Sequence, residues 1–287
     1  MAKFGIDVSK WQGKNFDFAR AKREDNIEFV IIRGACALYK DPQFESFYTK
    51  CKSLHLPVGV YHYSMATTVE GARKEAEFFY NNVLRGKQFD LPIYIDVEDK
   101  VQLALPKRLL TDIVKAWCEY LENKRYFVGI YAGKYQFRDN LIDDELKKYT
   151  HWIPMWGKNC TYADKDVLGM WQFGGETNVI RSNKIAGVVT DQNYMYVNFP
   201  AIIRSSKLNG FGAVVQNTQQ KAAFRVGDRI KLTDNAVYHN GKNVPRWVKK
   251  LPLYVRSADL GGGNYNVSIL KVGAITGRVN KRYFKKA

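Results

Sequence analysis

The sequence predicts an α/β protein: an irregular (β/α) TIM-like barrel followed by a small all-β unit. Three observations carry this. Eight short apolar runs bounded by turn residues alternate with helix-like stretches through the first two-thirds of the 287 residues. Past Pro200 the alternation gives way to closely spaced β-type runs punctuated by Gly and Pro. The charge changes in the same region: Met1–Pro200 holds 28 Lys and Arg against 25 Asp and Glu, whereas Ala201–Ala287 holds 17 against 3.

In chain order, the apolar runs are Phe4–Val8, Phe29–Arg33, Val58–Tyr63, Pro92–Glu98, Phe127–Tyr131, His151–Trp156, Leu168–Phe173 and Val188–Asn193. Between them, Asp17–Asp25, Pro42–Leu54, Val69–Leu84, Leu109–Lys124 and Asp143–Lys148 have helical composition. The connections around Asn159–Asp166 and Gly174–Ile185 are too short or too rich in Gly and Asn for good helices, so the barrel is expected to be irregular on that side. Ser205–Gly212 and Val215–Gln220 read as linker. The expected domains are therefore 1–203, a linker 204–223, and an all-β unit 224–287 built from RIKL, AVYH, LYVRSA, YNVSIL and GRV.

With 46% hydrophobic residues and 14% aromatics, the chain has the means to bury a core and does not resemble a disordered one. Cys36, Cys51, Cys118 and Cys160 form no C-x-x-C pair, which argues against a zinc site and for a reduced, cytoplasmic synthesis history. MAKFGIDVS lacks the apolar core of a signal peptide, and no stretch is apolar for long enough to span a membrane. The basic third should seek a polyanion; by charge alone, nucleic acid, an anionic membrane and a teichoic-acid-bearing wall all fit.

Chemistry gathers at the strand ends. In PIYIDVE, residues two apart share a face, so Tyr94, Asp96 and Glu98 point one way and Ile93, Ile95 and Val97 the other. Asp7, Arg33, Tyr61 and Tyr63, Tyr131, Trp156 and Asp191 occupy comparable positions in the other runs, at the rim where such barrels place their sites. Crowding raises carboxyl pKa values at a cost in stability, so a gathering of acids needs a chemical reason. Glycoside hydrolysis supplies one: one carboxyl donates a proton to the leaving oxygen and a second stabilises the oxocarbenium-like centre. Glu98 is the expected proton donor, Asp96 is expected to stay ionised, and the rim aromatics would stack on sugar. His62 and His151 fit satisfied core histidines, and neither a metal nor a cofactor is expected.

FGIDVSKWQG, GVYHYS, PIYIDVE, FVGIYAG, WIPMWG, MWQF and VVTDQNYMY resemble, in order, the signatures of the Chalaropsis-type lysozymes, glycoside hydrolase family 25, over nearly all of Met1–Pro200. The resemblance implies an irregular barrel and N-acetylmuramidase activity on peptidoglycan. It implies Glu98 as acid/base, Asp96 as nucleophile or as the residue orienting the 2-acetamido group, and Asp7 and Asp191 as supporting acids; either route retains anomeric configuration. RVGDRIKL, NVPRWV and GAITGRV resemble bacterial Src-homology-3-type wall-binding domains, with Tyr238, Trp247 and Tyr254 as candidate contacts and anionic wall polymers as candidate ligands. The whole looks like a phage endolysin, made without a signal peptide and released to the wall through a holin.

Two other readings use the same acids: a metal-dependent hydrolase with Asp7, Asp96, Glu98 and Asp191 as ligands, and a non-catalytic wall-binding protein on the same barrel. Neither nucleic-acid binding nor membrane insertion is expected as a primary role.

Overall fold

A computed structural model describes residues 2–212, 224, 226–257, 260, 264–272 and 274–286. The chain divides into two compact units, Met1–Val214 and Val215–Ala287.

The first unit runs β1 (Lys3–Val8), α1 (Phe18–Glu24), β2 (Phe29–Cys36), β3 (Tyr39–Lys40), α2 (Phe44–Ser53), β4 (Val58–Tyr63), α3 (Val69–Phe79), β5 (Ile93–Asp96), α4 (Lys100–Leu103), α5 (Lys107–Glu122), β6 (Val128–Tyr131), α6 (Lys134–Asp139), β7 (Thr150–Pro154), β8 (Leu168–Gly174), β9 (Lys184–Ile185), β10 (Val188–Val189), β11 (Asp191–Met195) and α7 (Phe199–Ser205). Eight strands close a barrel in the order β1, β2, β4, β5, β6, β7, β8, β11 and back to β1. The first seven are parallel; β11 is antiparallel to both its neighbours.

The reversal at β11 has a local cause. A parallel return needs a crossover along the outside of the barrel, usually a helix. Residues 175–190 form turns and the β9–β10 hairpin instead, so the chain re-enters from the rim it has just left. The expected strand Val188–Asn193 is therefore two pieces, and Asp191 opens a strand where the sequence pattern placed it at a strand's end.

The eight barrel strands bury residues on both faces, as a barrel under helices requires. On β5, Ile93 and Ile95, with Val97 beyond, belong to the layer between strands and helices, whereas Tyr94 joins Phe29, Ile31, Tyr131, Trp152, Met170 and Met195 inside the barrel. Helix α5 seals the outside with Leu110, Ile113, Val114, Trp117, Cys118 and Leu121, spaced as one helical face. The expected helix Asp143–Lys148 reduces to one 3-10 turn, Asp143–Glu145, and the Val69–Leu84 helix ends in a π turn from Tyr80.

Residues 204–212, expected as linker, belong to the barrel. Phe199 and Ile203 enter the interior cluster with Leu208 and Phe211 packed against it. Buried Asn209 donates to the Leu91 carbonyl at 2.8 Å and accepts from the Phe127 amide at 2.7 Å, tying this segment to the entries of β5 and β6. Asn209 thus serves backbone groups at the barrel's floor rather than water. The rest of the expected linker, 213–223, lies outside the described residues.

In the second unit, β12 (Arg229–Leu232), α8 (Arg246–Lys250), β13 (Leu253–Val255), β14 (Asn264–Ser268), β15 (Gly277–Asn280) and β16 (Phe284–Lys286) form an antiparallel half-barrel in the order β15-β14-β13-β12-β16. Ile230, Leu253, Val255, Tyr265, Val267, Val279 and Phe284 are among its core residues. The expected AVYH strand makes only isolated bridges, at Val237 and Tyr238. Tyr238 packs on this core, Tyr254 is partly exposed, and Trp247 is 60% exposed on α8. Among the described residues no helix is long and apolar enough to cross a membrane.

Candidate active site

The strand pattern delivers the rim residues to one place. Asp7 from β1, Arg33 from β2, Tyr61 and Tyr63 from β4, Asp96 at the end of β5, Glu98 two residues beyond, and Asp191 at the start of β11 line a single cavity of about 590 Å³. Direct pairing across the strands sets Asp7 beside Asp191 and Asp96 between Tyr63 and Tyr131. Val8, Ser9, Trp11, Gln12, Glu176 and Val189 complete the wall. Of these, Trp11 is 75% exposed, with the Lys10 ammonium 4.8 Å from its ring centroid.

Burial pushes all four acids upward, and neighbouring negative charge adds to the rise at Asp96, Glu98 and Asp191. Asp96 is buried, its Oδ1 has no hydrogen-bond partner, and it lies well above the usual carboxylate range because of burial and then the charges of Glu98 and Asp7, with Arg33 opposing. Burial and the charges of Asp7, Glu98 and Glu176 push Asp191 up to about 8. Glu98 is raised by partial burial and by Asp7 and Asp99. Asp7 is pushed up only to about 6, because hydrogen bonds from Asn193 and Gln172 offset its burial. Asp96 is the more buried of the two acids at the end of β5, and burial raises both it and Glu98.

Arg33 is engaged by Asp41 and makes no ion pair with the cleft acids. Its Nε and Nη2 both donate to buried Asp41 Oδ2 at 2.9 Å, and Asp41 also accepts from the backbone amides of Lys10 and Gln43. A fixed cation therefore borders the cleft without cancelling its charge. The phenols of Tyr61 and Tyr131 stay protonated well above their usual range, through burial and the neighbouring acids.

Tyr131 and Trp156 do not line the cavity; both donate to Gln172 Oε1 at 3.1 Å. Gln172, Asn193 and Trp152 are site residues that the sequence pattern did not single out. Gln172 Nε2 and Asn193 Nδ2 donate to Asp7 Oδ2 at 3.0 and 2.8 Å, and Trp152 Nε1 donates to Asn193 Oδ1 at 2.8 Å. The available signal was spacing: Asn193 lies two residues after Asp191 on one face of β11. Gly175 packs so closely that a Cβ there would collide with both the Asp191 carboxylate and the Trp156 ring.

The histidines lie outside the cleft. His62 Nε2 is 3.1 Å from Glu75, and His151 Nδ1 is 2.8 Å from the Tyr162 hydroxyl with its ring stacked on Phe137. Burial lowers His151 to about 4, so it is neutral in the core. Among the described residues no group of three or more His, Cys, Asp or Glu is placed to hold a metal ion.

Residues 6–181 match the family model described as glycosyl hydrolases family 25, a span that contains Asp7, Asp96 and Glu98 and stops short of Asp191. No curated protein matches the chain. Among solved structures, the modular autolysin LytC from Streptococcus pneumoniae, in complex with a synthetic peptidoglycan ligand, superposes with a TM-score of 0.59 at 20% identity, covering 68% of this chain and 47% of that one. This chain thus matches about half the length of that autolysin. A bacterial lysozyme from Streptomyces coelicolor gives 0.59 at 19% identity, covering 74% of this chain and 97% of that chain. The catalytic domain of endolysin ply40 from bacteriophage P40 of Listeria monocytogenes gives 0.58 at 19%, covering 71% and 97%. At these identities the likeness is one of fold.

Proposed function

Since the chain belongs to glycosyl hydrolases family 25, we propose that it is a lysozyme that hydrolyses the β-1,4 bond between N-acetylmuramic acid and N-acetylglucosamine in peptidoglycan. The observation that carries this is the gathering of Asp7, Asp96, Glu98 and Asp191, with Glu176, around one open cavity, the bordering Arg33 being engaged by Asp41. Such a set costs stability whatever it does, and a chemical use for its protons accounts for that cost being borne.

In the proposed reaction Glu98, kept protonated by burial and neighbouring negative charge, gives its proton to the N-acetylglucosamine O4 as the bond from the muramic acid C1 breaks. Asp96 assists at C1, as nucleophile or by accepting from the 2-acetamido N–H. Its buried, unpartnered Oδ1 supports a substrate-facing role. Glu98 then takes a proton from the water that adds to C1, and configuration is retained.

The test is incubation of wild type and Glu98→Gln with Gram-positive peptidoglycan, identifying new reducing ends by mass spectrometry. Wild type is expected to release N-acetylmuramic acid ends and the variant to lose about 100- to 10,000-fold in rate. Equal cutting by both proteins would end the reading, and binding without cutting by both would favour a wall-adhesion protein.

For the second unit we infer Src-homology-3-type wall binding. Support comes from the basic excess after Pro200 and from Trp247, exposed between Arg246 and Val248 on a helix that also carries Lys249 and Lys250. Trp247→Ala should weaken sedimentation with walls several-fold and leave hydrolysis of soluble glycan fragments unchanged; unaltered sedimentation would remove Trp247 from the contact.

A further inference from the structure

The geometry points to Gln172 and Asn193 as positioning residues that keep Asp7 the ionised member of the carboxylate cluster, so that its charge holds the proton on Glu98. This rests on the glycosidase reading above.

The argument begins at two indoles. An indole N–H only donates, so the amide atoms facing Trp152 and Trp156 must be the oxygens of Asn193 and Gln172. The Tyr131 hydroxyl donates to the same Gln172 oxygen. Three donors thereby fix the orientation of both amides and turn both NH₂ groups toward Asp7. They converge on a single oxygen, Oδ2, at 2.8 and 3.0 Å. An oxygen that accepts two N–H bonds is a poor place for a proton, and both bonds strengthen when the carboxyl is charged. Asp96, equally buried, has the opposite arrangement, with one oxygen lacking any partner.

Other groups facing Asp7 do not supply this preference. Asp96 and Glu98 from the end of β5, and Asp191 and Glu176 from the opening of β11 and the loop before it, are acids that repel its charge. Tyr61 on β4 and Tyr131 on β6 are neutral phenols, and Arg33 on β2 is engaged by Asp41. Asp7 also sits lower, at about 6, than Asp191 at about 8. Its charge is the largest cause, after burial, of the rise at Glu98.

The experiment is the pH–rate profile of peptidoglycan hydrolysis for wild type, Asp7→Asn, Gln172→Met and the double variant. Losing an amide donor makes Asp7 easier to protonate, removes its charge from beside Glu98 and lets Glu98 ionise at lower pH. The basic limb should therefore move toward acid by about one pH unit in Gln172→Met and in Asp7→Asn, and the double variant should coincide with Asp7→Asn. A uniform fall in rate with an unmoved limb, or a double variant shifted beyond Asp7→Asn, would overturn the inference. Should Gln172→Met fail to fold, carboxyl-carbon NMR titration of the wild type decides. Asp7 must lose its proton first among Asp7, Asp96, Glu98 and Asp191, and any other order overturns the assignment. If Glu98→Gln is inactive while the limb is unmoved, only this inference fails; if Glu98→Gln still cuts, the parent reading fails.

Discussion

Two of the barrel's buried polar networks, one inside and one outside its wall, treat a buried acid in opposite ways. Outside, Glu75 on α3 accepts from the Ser64 hydroxyl at 2.7 Å and the Met65 amide at 3.1 Å, lies 3.1 Å from His62 Nε2, and is backed by Gln102, whose amide donates to Ser64 and to the Ala66 carbonyl. Every partner comes from the end of β4, the loop after it or α4, and the effect is to fix that loop against the helices. Inside, Asp7 is also well supplied, yet it shares its cavity with Asp96, Glu98 and Asp191. Burial of a carboxylate is therefore no mark of function. What distinguishes the inner set is like charge gathered around one open cleft, with the bordering Arg33 engaged by Asp41.

The largest expected effect that sharpens this contrast is on stability. Glu75→Ala strands the His62, Ser64 and Met65 partners and should cost about 3 kcal/mol in denaturant unfolding, while leaving the basic limb of the pH–rate profile in place. A moved limb would show that the outer network tunes the acids and would break the distinction. Asp191→Asn should act in the other direction. With its carboxyl pushed up to about 8, against about 4 for an unfolded Asp, the folded state binds the Asp191 proton more tightly. That advantage is complete at low pH and lost as pH rises through about 8, so stability falls across the window. The variant should therefore melt higher than wild type above pH 8 and gain little at pH 4. Equal shifts at both values would contradict the crowding account.

The sequence already carried much of this. Alternation in PIYIDVE placed Asp96 inside and Ile95 outside, because period-two patterning is a local property that survives folding. The direction of β11 was hidden, since it depends on whether residues 175–190 cross the barrel's outside, which composition does not decide. Gln172 and Asn193 escaped notice for a related reason: an uncharged amide on a strand looks alike whether it meets water or Asp7, and its partners come from strands far away in sequence. The segment 204–212 looked like linker because Asn209 and Gly210 suggest a turn, yet Asn209 is buried and satisfies the barrel's floor.

The most direct test of the central claim, that Glu98 supplies the proton to the leaving oxygen, compares substrates that do and do not need it. Glu98→Gln should be measured on peptidoglycan glycan and on an aryl glycoside of the same sugar whose leaving group departs without protonation. The account predicts a loss of about 100-fold or more on the glycan and a much smaller loss of the bond-breaking step on the activated glycoside. Equal losses on both would contradict it and would assign Glu98 to another part of the reaction.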